Sequence, residues 1–322
     1  MQPLFFWMPP GLKLHGMTTL RVAAAAYLCQ QYAHWDDYEA ALSGVVAAGV
    51  ETGAGVLVLP EYASMELVSL LPHHLWPNVQ AQRAAMQPLL PAFLDLHSRL
   101  SRQHGVYLLA SSVPVEVTPS RYVNRAHFFG PDGTGDFQDK LVMTRFETEE
   151  WLIESGEGLK VFDTAYGKIG VNICYDAEFP DFARAQAAAG MDVLLVPSFT
   201  ETRRGYHRVR VGSMARALEN QIYTVHAPCL ADALWTYALE TAVGASAFYA
   251  PPDNGLPESG VLAEGAFDVP GWLSGDLDLD LIREVRRSGQ VLGARDLTWA
   301  ARQASSPVSS VPLGAGALHS TV

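Results

Sequence analysis

Short β-branched runs alternate with helix-period segments between residues 22 and 285, and this alternation confines the chain to an α/β architecture. Residues 22–28, 55–59, 105–110 and 125–129 read as strands in the first half. Residues 192–196, 222–225, 244–249 and 260–266 read as strands in the second. Helices are expected over 35–48, where Tyr38, Leu42, Val45 and Val46 recur near the helical period, and over 86–100, 181–189, 209–221 and 278–285. Gly49 and Gly53 mark the end of the first helix. Gly130-Pro131-Asp132-Gly133 closes a strand with a turn. Residues 159–162 and 168–173 flank Tyr166-Gly167 with hairpin spacing, which an all-parallel sheet would not need. A mixed sheet, or two sheets sharing a core with helices outside, fits this pattern. There is no internal repeat.

The chain has 322 residues, 49% of them hydrophobic, enough to bury one large core or two modest ones. A formal net charge of −12 argues against a nucleic-acid partner, because no basic stripe offsets the acid excess. The densest basic stretch is Arg203-Arg204 with His207, Arg208 and Arg210. The three cysteines, Cys29, Cys174 and Cys229, are widely spaced and form no disulfide framework, which favours a reducing, cytoplasmic setting. Neither cysteines nor histidines cluster at zinc-ligand spacing, so no metal or cofactor is expected. No run approaches the ~18 apolar residues of a spanning helix, so no membrane partner is expected. The apolar stretch from Pro3 to Pro10 lacks a basic flank and ends in Pro9-Pro10. Residues 1–20 therefore read as an N-terminal extension, with Met17 an alternative start. Residues after Gln303, rich in Ser, Pro, Gly and Ala, read as an arm or a disordered tail.

Three residues stand where α/β enzymes expose reactive groups, at the ends of predicted strands. Cys174 ends the run Lys168-Ile169-Gly170-Val171-Asn172-Ile173-Cys174, before Tyr175-Asp176-Ala177-Glu178-Phe179-Pro180. Glu61 follows Val56-Leu57-Val58-Leu59-Pro60, and Lys140 lies in Phe137-Gln138-Asp139-Lys140-Leu141. Each has an inert alternative: a core thiol, a loop carboxylate, a solvated amine. Together they offer a nucleophile, a burial-tuned base and a positive charge for an oxyanion. No histidine has a spacing that ties it to Cys174.

The segments Val58-Leu59-Pro60-Glu61, Gln138-Asp139-Lys140 and Asn172-Ile173-Cys174-Tyr175-Asp176 resemble, in order and separation, the three motifs of the nitrilase, or carbon–nitrogen hydrolase, superfamily. Leu194-Leu195-Val196-Pro197-Ser198 and Ala215-Arg216-Ala217-Leu218-Glu219-Asn220 extend the likeness over about residues 21–290. The resemblance implies a four-layer α-β-β-α sandwich, a hydrolase domain at 21–290 and a C-terminal arm or tail at 291–322. It implies assembly into a homodimer or higher homo-oligomer. It also implies a Glu61–Lys140–Cys174 triad, with the Tyr175 backbone N–H sharing the oxyanion.

The expected reaction is hydrolysis of a carbon–nitrogen bond in a small amide or carbamoyl compound, through a cysteine thioester and with release of ammonia or amine. The alternatives are a nitrilase, an acyltransferase using the same thioester, and a catalytically silent binding scaffold. The resemblance also implies a second glutamate near the lysine; of Glu147, Glu149 and Glu150, counting back from Ser155-Gly156 falls on Glu149, and an insertion of one or two residues would shift the choice to Glu147 or Glu150. Many amidase branches carry arginine where this chain has Glu178. Arg203, Arg204, Arg208 and Arg210 are candidate replacements for a substrate carboxylate. Trp151, Phe199, Tyr206 and His207 join Arg203 as candidate pocket residues, with a core or solvated role as the alternative for each.

Overall fold

The structure, a computed structural model, describes residues 18–311. Most of the expected N-terminal extension and the last part of the expected tail lie outside the described residues. The first half of the chain supplies β1 (Thr19–Leu28), α1 (Trp35–Glu51), β2 (Val56–Val58), α2 (Val79–Ala85) and α3 (Leu90–His104). Then come β3 (Tyr107–Leu109), β4 (Val113–Thr118), β5 (Arg121–Phe129), β6 (Gly135–Asp139) and β7 (Ile153–Glu154). The second half supplies β8 (Val161–Asp163), β9 (Lys168–Val171), α4 (Pro180–Ala188), β10 (Val193–Ser198), α5 (Arg203–Asn220) and β11 (Tyr223–Leu230). It ends with β12 (Ala247–Tyr249), β13 (Val261–Glu264), β14 (Gly271–Asp278), α6 (Leu279–Ser288) and α7 (Gly293–Ala304).

Two sheets result. One runs β4-β5-β3-β2-β1, with β14 beyond β1 and with β6 and β7 on β5. The other holds β8, β9, β10, β11, β12 and β13. They touch edge to edge only where Tyr27 and Leu28 of β1 register with Cys229 and Leu230 of β11. Residues of β1 alternate between two cores: Ala23, Ala25 and Tyr27 join the cluster under α1 and α3, whereas Leu20, Val22 and Ala24 join Val171, Leu195 and Val225 between the sheets. A strand buried on both faces needs a layer on each side. Helices α1 and α3 cover one sheet, and α5 lies on the other with α4 against it. The four-layer α-β-β-α order follows.

Local chemistry explains the frame. α1 buries Tyr38, Leu42, Val46 and Gly49 along one stripe. Gly49 has no room for a side chain, because a Cβ there would lie 2.9 Å from Trp272 of β14. The hairpin expected around Tyr166-Gly167 forms as β8–β9, antiparallel, with Phe162 opposite Ile169. α5 begins at Arg203, earlier than its periodicity indicated, because the Thr202 side chain accepts from the Gly205 N–H and caps it. Several elements have no counterpart in the expected pattern, among them α2, β4, β6 and β7, and two more change the frame. β14, with Gly271 and Gly275, has weak strand chemistry but pairs with β1 from Thr19↔Asp278 to Ala26↔Gly271. α7 occupies part of the expected tail. Among the described residues no helix is long and apolar enough to cross a membrane.

Candidate active site

Glu61, Lys140 and Cys174 come from three separate connections and converge at one end of the sandwich. Glu61 follows β2 through Leu59-Pro60, Lys140 follows the last residue of β6, and Cys174 opens a single helical turn, Cys174–Glu178, after β9. Cys174 takes φ +51° and Tyr62, next to Glu61, takes φ +56°. Left-handed backbone at a non-glycine residue is uncommon, and here it lifts the thiol out of the strand direction. Lys140 is pinned through its main chain: its N–H donates to Asn124 O (2.8 Å), and its carbonyl accepts from Gly156 N (2.9 Å). Gly156 must be glycine for that approach, since a Cβ would lie 2.1 Å from Asp139 Cβ. The Asp176 carboxylate accepts from Leu141 N and Val142 N, tying the lysine loop to the cysteine turn.

The Lys140 ammonium is buried between two carboxylates, donating to Glu61 Oε1 at 2.7 Å and to Glu147 Oε2 at 2.6 Å. Asn124 Nδ2 donates to Glu61 Oε1 (2.9 Å), and Phe199 N donates to Glu61 Oε2 (2.8 Å). The Cys174 thiol donates to Phe199 O at 3.5 Å, so one residue's main chain contacts both the carboxylate and the thiol. Tyr62 OH donates to Glu147 Oε1 and Thr144 N to Oε2, each at 2.9 Å.

Electrostatics follow from burial and pairing. Burial raises the Glu61 pKa, Lys140 opposes that rise, Glu147 adds to it, and the net direction is upward. Burial also acts to raise Glu147, but the Lys140 charge and hydrogen bonds from Lys140, Thr144 and Tyr62 reverse it, leaving the group below the usual glutamate value. Burial pulls Lys140 down, yet Glu147 and Glu61 outweigh it and hold the ammonium well above the ordinary lysine range. Burial, then the Glu61 charge, drives the Cys174 thiol well up, with Lys140 only partly opposing. The thiol is therefore held neutral at rest, with Glu61 placed to receive its proton.

A cavity of about 180 Å³ opens onto Glu61, Lys140, Glu147 and Cys174. Aromatic rings of Tyr62, Phe146, Trp151, Tyr175 and Phe199 wall it, and Glu178, Glu201 and Arg208 also line it. Among the described residues no group of three or more His, Cys, Asp or Glu side chains has an arrangement able to hold a metal ion.

Several expected residues are placed differently. Glu149 is not beside Lys140: its side chain is 54% exposed and pairs with Arg145 at 2.6 Å. Glu147 takes that place because Thr144 starts the Glu147–Trp151 turn and directs the first acid inward. Glu150 accepts instead from Tyr237 OH. Trp151 and Phe199 line the cavity, but Arg203, Tyr206 and His207 do not. Arg203 stacks on Phe267 with its guanidinium 3.9 Å from the ring centre. Tyr206 donates to Glu264 at 3.0 Å, and Arg210 pairs with the same carboxylate. His207 faces an outer groove shared with Arg204 and Val211. The helical period explains the sorting, because Gly205, Arg208 and Val209 form the one face of α5 that reaches the cavity. Reading that face would have selected Arg208 over Arg203. Asn124 and Thr144 went unseen, and Asp176 was read only as part of the cysteine motif, since nothing local marks a residue that holds a distant loop.

The family description "Carbon-nitrogen hydrolase" matches residues 21–287. A probable hydrolase, YhcX, of Bacillus subtilis is 31% identical over 277 residues, 86% of this chain and 53% of that protein. The chain thus spans about half the length of that relative. Omega-amidase NIT2-B of Xenopus laevis is 31% identical over 201 residues, 60% of this chain and 68% of that protein. Among solved structures, a carbon-nitrogen hydrolase from Helicobacter pylori shares the fold with TM-score 0.71 at 17% identity, covering 90% of this chain and 99% of that one.

Proposed function

Because the chain belongs to the carbon–nitrogen hydrolase family, we propose that it hydrolyses the carbon–nitrogen bond of a small amide through a thioester on Cys174. The observation that carries this reading is the buried Lys140 ammonium, held between Glu61 and Glu147 on the same cavity as the Cys174 thiol. Burying three charges in a protein interior is costly and contributes little net stability, so their retention has a chemical reason. The matched omega-amidase favours an amide over a nitrile as substrate.

The steps balance with this chain's own groups. The Glu61 carboxylate accepts the thiol proton as Cys174 Sγ bonds to the carbonyl carbon. The carbonyl oxygen takes the electron pair and receives hydrogen bonds from Lys140 Nζ and from the Tyr175 N–H. That N–H lies in the first turn of the Cys174–Glu178 segment, where no intrahelical acceptor exists for it. Collapse breaks the carbon–nitrogen bond, and Glu61 returns its proton to the leaving amine. Water then attacks the thioester with Glu61 taking its proton, which gives the acid and restores the thiol. Glu147 holds Lys140 charged throughout and does not itself meet the reacting atoms.

The cavity, at about 180 Å³, favours a short acyl group. An ammonia-release assay over short aliphatic amides tests the reading, together with intact-mass detection of an acyl adduct. Unchanged turnover by Cys174→Ala overturns it.

A further inference from the structure

The Phe199 peptide groups hydrogen-bond both the base and the nucleophile, yet Phe199 lies one residue past the end of β10. That end is thinly supported. β10 pairs with β9 only as far as Leu195, whose carbonyl accepts from Asn172 N at 3.0 Å. From there to Ser198 its one registered strand neighbour is β11. Pro197, within this stretch, has no N–H to offer.

A side-chain bond supplies the missing support. Ser198 Oγ and His226 Nε2 share a hydrogen bond of 2.6 Å, and both residues are fully buried. His226 Nδ1 is buried too and has no hydrogen-bond partner among the described residues. The imidazole thus enters the interior with one nitrogen unpaired and spends the other on Ser198, an arrangement that carries a cost and calls for a reason. The ring is braced as well as bonded. Tyr206 lies nearly parallel to it, at 16° with ring centres 5.7 Å apart. Tyr206 OH is held in turn by Glu264, which Arg210 also grips. Burial brings the imidazole pKa down to about 4, so the ring is neutral in neutral solution.

Resting on the thioester reading above, we propose that His226 is a positioning residue for the reaction: through Ser198 it fixes the Phe199 peptide and so sets Glu61 and Cys174 at bonding distance. It touches no reacting atom. Its leverage comes from adjacency, since the latched residue directly precedes the one whose N–H and carbonyl make both contacts. A misplacement of about 1 Å at a reacting centre can cost on the order of 10²-fold in rate, so a loosened peptide is felt in turnover.

Ser198→Ala removes the latch with little change in volume. It is expected to lower kcat about tenfold and to leave KM within about twofold. The acid limb of its pH–kcat/KM profile should move to higher pH, because an N–H on the Glu61 carboxylate favours the charged form and is now held less firmly. His226→Gln places a nitrogen near the Nε2 position, whereas His226→Asn places one near Nδ1. The first is expected to stay within about threefold of wild-type kcat and the second to match Ser198→Ala. Ser198→Ala combined with His226→Phe should lose no more than Ser198→Ala alone, as members of one unit do. The pH profile of Cys174 alkylation by iodoacetamide, read by peptide mass, follows the same limb without a substrate. That arm stands whether or not short amides turn over, and ammonia release by the wild type reports on the hydrolase reading separately. Equal activity of the Gln and Asn variants, losses that multiply in the double variant, or an acid limb that stays in place in Ser198→Ala overturns the assignment.

Discussion

Glu61 and Glu66 follow the same strand, both are buried, and their surroundings make opposite use of them. Glu66 accepts from Tyr27 OH at 2.5 Å and from Gln30 N at 3.0 Å, near two buried thiols, Cys29 and Cys229, whose sulfurs lie 3.3 Å apart. No cation contributes there, and burial drives the Glu66 carboxyl up to about 8. Burial likewise drives the Cys29 thiol well above its usual value, with Cys229 and Glu66 adding to it. Acid and thiol therefore meet at both places. Only around Glu61 does a lysine join them, and only there does a cavity reach the sulfur. Burial raises both carboxyls; at Glu61 the Lys140 ammonium works against that rise and favours the charged form a base needs.

The largest expected effect separates the thiols. Cys174→Ala should lower amide turnover by at least ~10⁴-fold, as loss of a covalent nucleophile does, while Cys29→Ala keeps turnover within a few fold. Ammonia release under saturating amide measures both. Equal losses would erase the distinction between the regions.

Next is stability around Glu66. Its folded pKa, about 8, exceeds the unfolded value of 4.5, so the folded protein holds the extra proton. The associated stabilisation is full below the unfolded value, declines as pH rises, and is gone above the folded one. Glu66→Gln cannot lose that proton. Its stability relative to wild type should therefore rise by on the order of 4 kcal/mol between about pH 4.5 and pH 8.5. Urea unfolding at both ends of that range checks the sign, and parallel wild-type and variant curves would refute it.

Glu147→Gln should lower kcat by about 10²-fold by loosening Lys140. Burial is the main cause of the raised Glu61 pKa, and Glu147 adds to it. The acid limb of the pH–kcat/KM profile, where Glu61 becomes protonated and can no longer act as a base, should therefore move to lower pH in this variant. A merely structural defect would leave the limb in place. The smallest effect belongs to Glu149→Gln. Its exposed pair with Arg145 is worth under about 0.5 kcal/mol, and turnover should stay within about twofold. A large loss there would return the auxiliary role to the residue that simple counting selects.

What the sequence disclosed follows the same divide. The strands that carry Glu61 and Cys174 announce themselves by apolar β-branched runs, and punctuation at their ends marks the reactive residues. Even the four-layer order was available through the family resemblance. Glu147 was one of three candidates, and spacing alone leaned to Glu149 because a linear count cannot register a turn tightened by Thr144. The basic start of α5 misled because composition flags charge without direction, and the helical twist sends Arg203 and Arg208 to different neighbours. β14 escaped because Gly271 and Gly275 weaken its local signal, while its pairing with β1 is a tertiary matter.

The hydrogen bonds from Phe199 to Glu61 and Cys174 run through its peptide groups, so those two bonds are indifferent to the side chain at that position. The ring can be trimmed or enlarged to reshape the cavity wall without unlatching the base or the nucleophile. Proline is the one replacement that deletes the N–H. Position 199 is thus a place where substrate fit can be retailored while the reaction chemistry is left standing.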